Sequence, residues 1–116
     1  MATIRRGEIW VANLNPNKGS EVGKIRPVVI LQVDELTATG LGTVIAAPLT
    51  TKLWPAFEPL RIKIKARDRL EQDRHVMVEQ TRAFDRARLG NGPLATLTPE
   101  EMAAVEKSLK GVLGLL

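Results

Sequence analysis

The stretch EVGKIRPVVIL, residues 21–31, holds the side chain in this sequence best suited to chemistry. Arg26 stands between a glycine-bearing loop and an unbroken aliphatic run, and Pro27 follows it directly. Proline fixes its own φ and lacks an N–H, so the position just after the charge is stiff. The aliphatic run beyond it reads as a buried strand, a rigid base for the guanidinium. Gly19 and Gly23 leave room for a ligand to approach the backbone. A guanidinium presents a planar fork of donors that matches phosphate oxygens two at a time. These features favour a phosphate-binding Arg26 over a surface arginine that merely precedes a strand. A second set lies in PLTTK, residues 48–52, where Thr50, Thr51 and Lys52 close another apolar run. Threonine is common in strands, and that structural role competes with a functional one. If this strand ends at the same rim as Arg26, a threonine hydroxyl can donate to the same phosphate.

Several other kinds of site are excluded. Cysteine is absent, so there are no disulfides, thiolate zinc sites or cysteine nucleophiles. His75 is the single histidine; a two-histidine acid–base pair or a histidine metal cluster cannot form within one chain. A histidine at the start of a strand is ordinarily structural or exposed. No glycine pattern matches a P-loop or a dinucleotide fingerprint. Asp68, Glu71 and Asp73 are interleaved with Arg67, Arg69 and Arg74. That mixture reads as a solvated, self-neutralising loop and not as a two-metal carboxylate site. No metal and no cofactor are expected.

The chain has 116 residues, 44% of them hydrophobic, which suits one domain over residues 1–116. No segment approaches the roughly 18 apolar residues of a spanning helix. The two arginines of MATIRRGEIWV are not followed by a signal-length apolar stretch. No membrane association and a cytoplasmic location are the expectation. Lys and Arg total 17 against 13 acidic residues, a net charge of +4. The excess favours a polyanionic partner, nucleic acid first. Aromatics are limited to Trp10, Trp54, Phe57 and Phe84, few for a module that holds single strands mainly by base stacking.

The elements that must position these groups follow from periodicity. Residues 7–14 alternate around Ile9 and Val11 as a half-buried strand does. Residues 15–24 form a long loop rich in Asn, Gly and Lys. Residues 26–33 are a continuous β-branched run, a strand buried on both faces. Residues 34–42 read as a turn or loop, and 43–50 as a strand in which Pro48 marks a bulge, an end or an edge. Residues 60–66 alternate, with Leu60, Ile62 and Ile64 on one side and Arg61, Lys63 and Lys65 on the other. Those charges either guard a sheet edge or hold nucleic-acid phosphates; the two readings stand level. A fifth strand is predicted over 75–82 and a short helical turn over 85–89. A terminal helix starts at a T-x-x-E capping box, Thr98 to Glu101, with Pro99 at its first position and a Leu97–Met102 staple. Met102, Val105, Leu109, Val112, Leu113 and Leu116 then form an apolar stripe. The expected fold is mainly β: a small, strongly curved antiparallel sheet or barrel of five or more strands carrying a C-terminal α-helix.

These residues in this order resemble the MazF/PemK family of toxin–antitoxin ribonucleases, whose fold is an SH3-like barrel. RRGEIWVANLNPNKGSEVGKIRPVVIL is similar to the family's opening strand and its G-S-E…R-P element. AAPLTTK matches a Thr- or Ser-bearing strand end, and LEQDRHVMVEQTRAFDRARL matches a segment carrying an acidic residue, Gln and Arg. The resemblance implies a metal-independent, sequence-specific endoribonuclease acting on single-stranded RNA. The ribose 2′-OH attacks the adjacent phosphate, leaving 2′,3′-cyclic phosphate and 5′-OH ends. It assigns catalytic roles to Arg26 and Thr50, and a proposed base to Glu21. Gln80, Lys24, Thr51, Lys52, Arg61 and Lys63 are then candidate substrate contacts. It also implies a homodimer and a cognate antitoxin whose acidic, disordered tail enters a basic groove. The sequence departs from the family at Arg69, at Arg74-His75 where Ser or Gly is common, and at LWPAF, residues 53–57. That last segment lies in a variable loop that helps to choose the RNA sequence. Two alternatives belong to other classes: a non-catalytic, gyrase-binding toxin like CcdB, or an RNA-binding barrel that has lost activity. The helix end Gly114-Leu115-Leu116 lacks the tryptophan of CcdB-type chains, and the joint presence of Glu21, Arg26 and Thr50 argues against decay.

Overall fold

The computed structural model describes residues 3–16, 18–20, 23–57 and 60–115. Within these, the strands are β1 (Glu8–Asn13), β2 (Ile25–Ile30), β3 (Thr43–Thr50), β4 (Ile62–Ile64), β5 (Arg74–Val76), β6 (Arg82–Asp85) and β7 (Ala95–Thr96). They make one antiparallel sheet in the order β4-β5-β3-β2-β1-β7, with β6 added on β3. Helix α1 (Asp34–Thr37) is one turn, and α2 (Pro99–Leu113) is the terminal helix. This is the curled, mainly-β architecture that the alternation patterns predict.

The centre of the sheet is β2, and both of its faces are covered. Val29, with Leu31 just beyond the strand, packs with Ile9, Leu49, Ile64, Val76 and the helix residue Val105. Val28 and Ile30 pack on the opposite side with Trp10, Leu14, Val44 and Phe84. Alternate residues of one short strand thus feed two separate cores, which is why the run shows no polar alternation.

Strand β3 organises the remainder. Its first half pairs with β6 at Thr43–Ala46 and its last residues, Leu49 and Thr50, pair with β5. Both partners lie along the same side of β3, and their ladders are out of register by three residues. The 3₁₀ turn Val78–Gln80 takes up that difference, so the single strand predicted over 75–82 is divided. Pro48 sits where the partner changes. It is neither a bulge, an end nor an edge position, because Val28 pairs with it from β2. Its carbonyl accepts the Met77 N–H on the other side, so its missing donor falls in the gap between β5 and β6, where no ladder bond is needed. The loop expected over 34–42 contains α1, and the strand expected over 60–66 is reduced to Ile62–Ile64.

Helix α2 begins as its sequence predicts. Thr98 Oγ1 accepts the Glu101 N–H at 3.1 Å, and Glu101 Oε1 accepts the Thr98 N–H at 2.8 Å. Leu97 is buried and Met102 packs against the same core. The Arg67 guanidinium then forks onto both Glu101 oxygens at 2.7 and 2.5 Å, tying the cap to the sheet. The apolar stripe is only half used. Met102, Val105 and Leu109 pack on the sheet, whereas Val112, Leu113 and Leu115 are exposed; Leu116 lies outside the described residues.

Hydrogen bonds from Arg67, then from the Thr98 backbone, hold the Glu101 carboxyl below its ordinary pKa of 4.5 against the opposing effect of burial. A depressed folded-state pKa contributes stability above the unfolded value and loses it as pH falls through the folded one. Thr98→Ala is expected to cost about 1 kcal/mol in urea unfolding at pH 7. Between pH 6 and 3 the native chain should lose more stability than Glu101→Gln. Equal pH dependence in the two would show that the Arg67–Glu101 pair contributes nothing to folding.

Candidate active site

Antiparallel pairing brings the first residues of β2, the last of β3 and the first of β5 to one rim of the sheet. Extending the β2–β3 register by two residues sets Arg26 across from Thr50, and extending the β3–β5 register by one sets Arg74 across from Thr51. Side chains far apart in sequence therefore meet without any long loop to hold them.

A cavity of about 760 Å³ opens at this rim. Of the residues singled out from the sequence, Arg26, Thr50, Lys24, Thr51, Lys52, Arg61 and Gln80 all line it. Lys63 does not; its ammonium lies 3.7 Å from Asp73 in an exposed pair. Glu21 lies outside the described residues. Among the described residues no carboxylate lines the cavity, and its charged lining side chains, Lys24, Arg26, Lys52, Arg61 and Arg74, are all cationic.

Each side chain has a local reason for its place. Arg26 is half-buried and its Nε donates to the Gly23 carbonyl at 3.2 Å, which turns the guanidinium back toward the loop. Burial, and then the positive charge of Arg74, hold its pKa below the ordinary value. An arginine stays protonated regardless; the shift records an unrelieved cost of keeping the charge there. Thr50 is buried, and its Oγ1 accepts the Lys52 N–H at 3.2 Å. One lone pair is thereby occupied and the hydroxyl proton is left to donate. Lys24 is tied back to the end of β1: its N–H donates to Asn15 Oδ1 and its carbonyl accepts from the Leu14 N–H. Its φ is +72, a left-handed conformation that costs a side-chain-bearing residue roughly 1–2 kcal/mol.

Six cavity residues, Ser20, Ile25, Met77, Arg74, Trp54 and Phe57, were not singled out from the sequence as site residues. Arg74 looked like part of a self-neutralising loop. In the structure that loop does not neutralise itself: Arg67 is drawn to Glu101 on α2, Asp73 accepts the Ala66 N–H and faces Lys63, and Arg74 turns into the cavity. Trp54 and Phe57 belong to LWPAF, whose departure from the family pattern and place in a variable loop were the signals. The 3₁₀ turn Pro55–Phe57 sets their ring centroids 6.5 Å apart at 46°, and both remain largely exposed. The Arg61 guanidinium caps the Phe57 ring at 5.0 Å and is fixed by Glu79 at 2.5 Å. Arg61 thus lines the cavity with its charge already paired to Glu79.

The chain matches the family model described as PemK-like, MazF-like toxin of type II toxin–antitoxin systems over residues 5–113. It belongs to that family. The fold is similar to MazF from Deinococcus radiodurans, with a TM-score of 0.85 at 23% identity over 99% of this chain and 100% of that one. It is also similar to the Mycobacterium tuberculosis toxin MazF-mt6, with a TM-score of 0.76 at 24% identity over 94% and 98%. An endoribonuclease from a mycobacterial species, solved in complex with its cognate antitoxin, superposes with a TM-score of 0.74 at 22% identity over 100% and 98%. The chain is thus a MazF-like toxin of a type II system, and no helix among its described residues is long and apolar enough to cross a membrane.

The contrast between the two basic pairs can be measured. The Arg61 and Glu79 side chains are only 9% and 23% exposed, against 54% and 51% for Lys63 and Asp73. Arg61→Ala strands a largely desolvated carboxylate, and is expected to lower unfolding stability by about 1–3 kcal/mol. Lys63→Ala should stay within about 0.5 kcal/mol of the parent. Equal losses in a denaturation series would contradict this assignment of Arg61.

Proposed function

We propose that this toxin is a metal-independent endoribonuclease that cuts single-stranded RNA. The observation that carries the reading is the pairing of Arg26 and Thr50 at one rim of a cavity with no described acidic lining. RNA supplies its own nucleophile. As the 2′-oxygen bonds to phosphorus, the P–O5′ bond breaks, giving a 2′,3′-cyclic phosphate and a 5′-hydroxyl. Negative charge concentrates on the non-bridging oxygens in between. A guanidinium fork and a hydroxyl donor held in place beforehand stabilise that state more than the ground state. The 2′ proton passes to a base, for which Glu21 is the candidate, and the departing 5′ oxygen gains a proton. Lys24, Thr51, Lys52 and Gln80, which line the cavity, are the candidates to hold flanking nucleotides. Trp54 and Phe57 offer an exposed ring surface on which a base can stack.

The same cations suit an acidic antitoxin tail that folds on binding, in keeping with the antitoxin complex of the mycobacterial relative. The exposed Val112, Leu113 and Leu115 side chains support a second copy of the chain as a further partner.

The test is incubation with a long single-stranded RNA in EDTA, followed by mapping of the ends. Cleavage with 2′,3′-cyclic phosphate and 5′-OH termini is expected. Arg26→Ala and Thr50→Val should each lower kcat/KM by about 10²–10³-fold while the far-ultraviolet circular dichroism stays unchanged. An RNA with one 2′-deoxy sugar on the 5′ side of the cut should resist. Intact RNA across diverse sequences would refute the enzyme, and cleavage lost in EDTA would refute the metal-independent route.

A further inference from the structure

We propose that Arg74 is a second phosphate-binding guanidinium, sharing with Arg26 the phosphodiester that the cavity holds; the inference rests on the ribonuclease reading and names a further substrate contact within it. Arg26 and Arg74 together line the main cavity and also an adjoining hollow of about 260 Å³ bounded by Val11, Leu70 and Leu94. Both residues therefore border the two spaces, and the charge of Arg74 is felt at Arg26.

Neither charge is compensated within the described part of the chain. Arg6, Arg61, Arg67 and Lys63 have carboxylate partners in Glu106, Glu79, Glu101 and Asp73. Arg26 and Arg74 have none. Asp73, adjacent to Arg74, is committed to the Ala66 N–H and Lys63. Glu71 lines the smaller hollow without pairing with either arginine. The Arg74 Nε is buried and has no hydrogen-bond acceptor among the described residues.

A solvated arginine lying along apolar surface would keep its head group wet. A buried Nε without an acceptor, facing a like charge, instead carries a desolvation cost that an incoming anion removes. Phosphate supplies what both groups lack: several acceptor oxygens and negative charge at one point. The charge on those oxygens rises during 2′-oxygen attack, so a second guanidinium aids the transition state as well as binding. The two arginines repel until the substrate arrives, which marks the rim as an anion site independently of Thr50.

The full chain with Arg74→Gln and Arg74→Lys separates this from a structural role. Three readouts are needed: kcat/KM on a single-stranded RNA, the salt dependence of binding to an all-2′-deoxy oligonucleotide of the same sequence, and urea unfolding. For Arg74→Gln the expectation is a 10–100-fold fall in kcat/KM and a salt slope shallower by about 0.7, the value of one phosphate contact on a single strand. Stability should be equal or higher, since an uncompensated charge has gone. Arg74→Lys should recover part of the rate and the full salt slope. If the native chain cleaves and Arg74→Gln matches it in both rate and slope, the assignment is wrong. A loss of rate matched by a loss of folded protein would also overturn it, making Arg74 structural. If the native chain cleaves no RNA, the ribonuclease reading fails, and the salt slope alone then decides whether Arg74 contacts phosphate.

Discussion

Positive charge that no described carboxylate pairs with, at one rim of a curled sheet, is the constraint around which the described structure is arranged. Arg26 and Arg74 both resist their positions, through burial and, for Arg26, through its neighbour's charge. Side chains on flexible loops would swing apart to relieve that repulsion. Here Arg26 leads into β2 residues buried on both faces of the sheet, and Arg74 begins a strand whose Val76 lies in the same core as Val29, so packing holds the charges in place. The strain is local and is offset by packing elsewhere, the usual arrangement where a site must be ready before its ligand arrives.

The carboxylates show the same division of labour. Glu101 closes the helix cap and grips Arg67, Glu79 fixes Arg61 under the aromatic turn, and Glu106 meets Arg6 across the helix–sheet junction. Each joins structural elements and neutralises an arginine. A net charge of +4 is modest; its local effect is larger where Lys24, Arg26, Lys52, Arg61 and Arg74 line one cavity with no described carboxylate among the lining residues.

Local rules described much of the chain well. The Thr98–Glu101 box, Pro99 and the Leu97–Met102 staple depend on residues within five positions of one another, and the double-sided burial of β2 is written in its own unbroken apolar run. Arg26 was identifiable because a charge set against Pro27 and a buried strand is anomalous at short range. Arg74 was not, since charges of both signs surround it in sequence and only the fold shows that Asp73 and Arg67 turn to other partners. The division of residues 74–85 into two strands and a turn was hidden for a related reason: it follows from how β3 bends past two partners, which no window around residue 78 records.

By itself, then, the sequence determined the element types, the helix cap, the family and the identity of most cavity residues, because each is encoded in short-range periodicity, backbone chemistry or motif order. Only the tertiary structure decided which charges remain unpaired and which three strand ends share a rim. Those outcomes depend on antiparallel register between segments tens of residues apart, and register is set by the packing of two cores that no single segment can form alone.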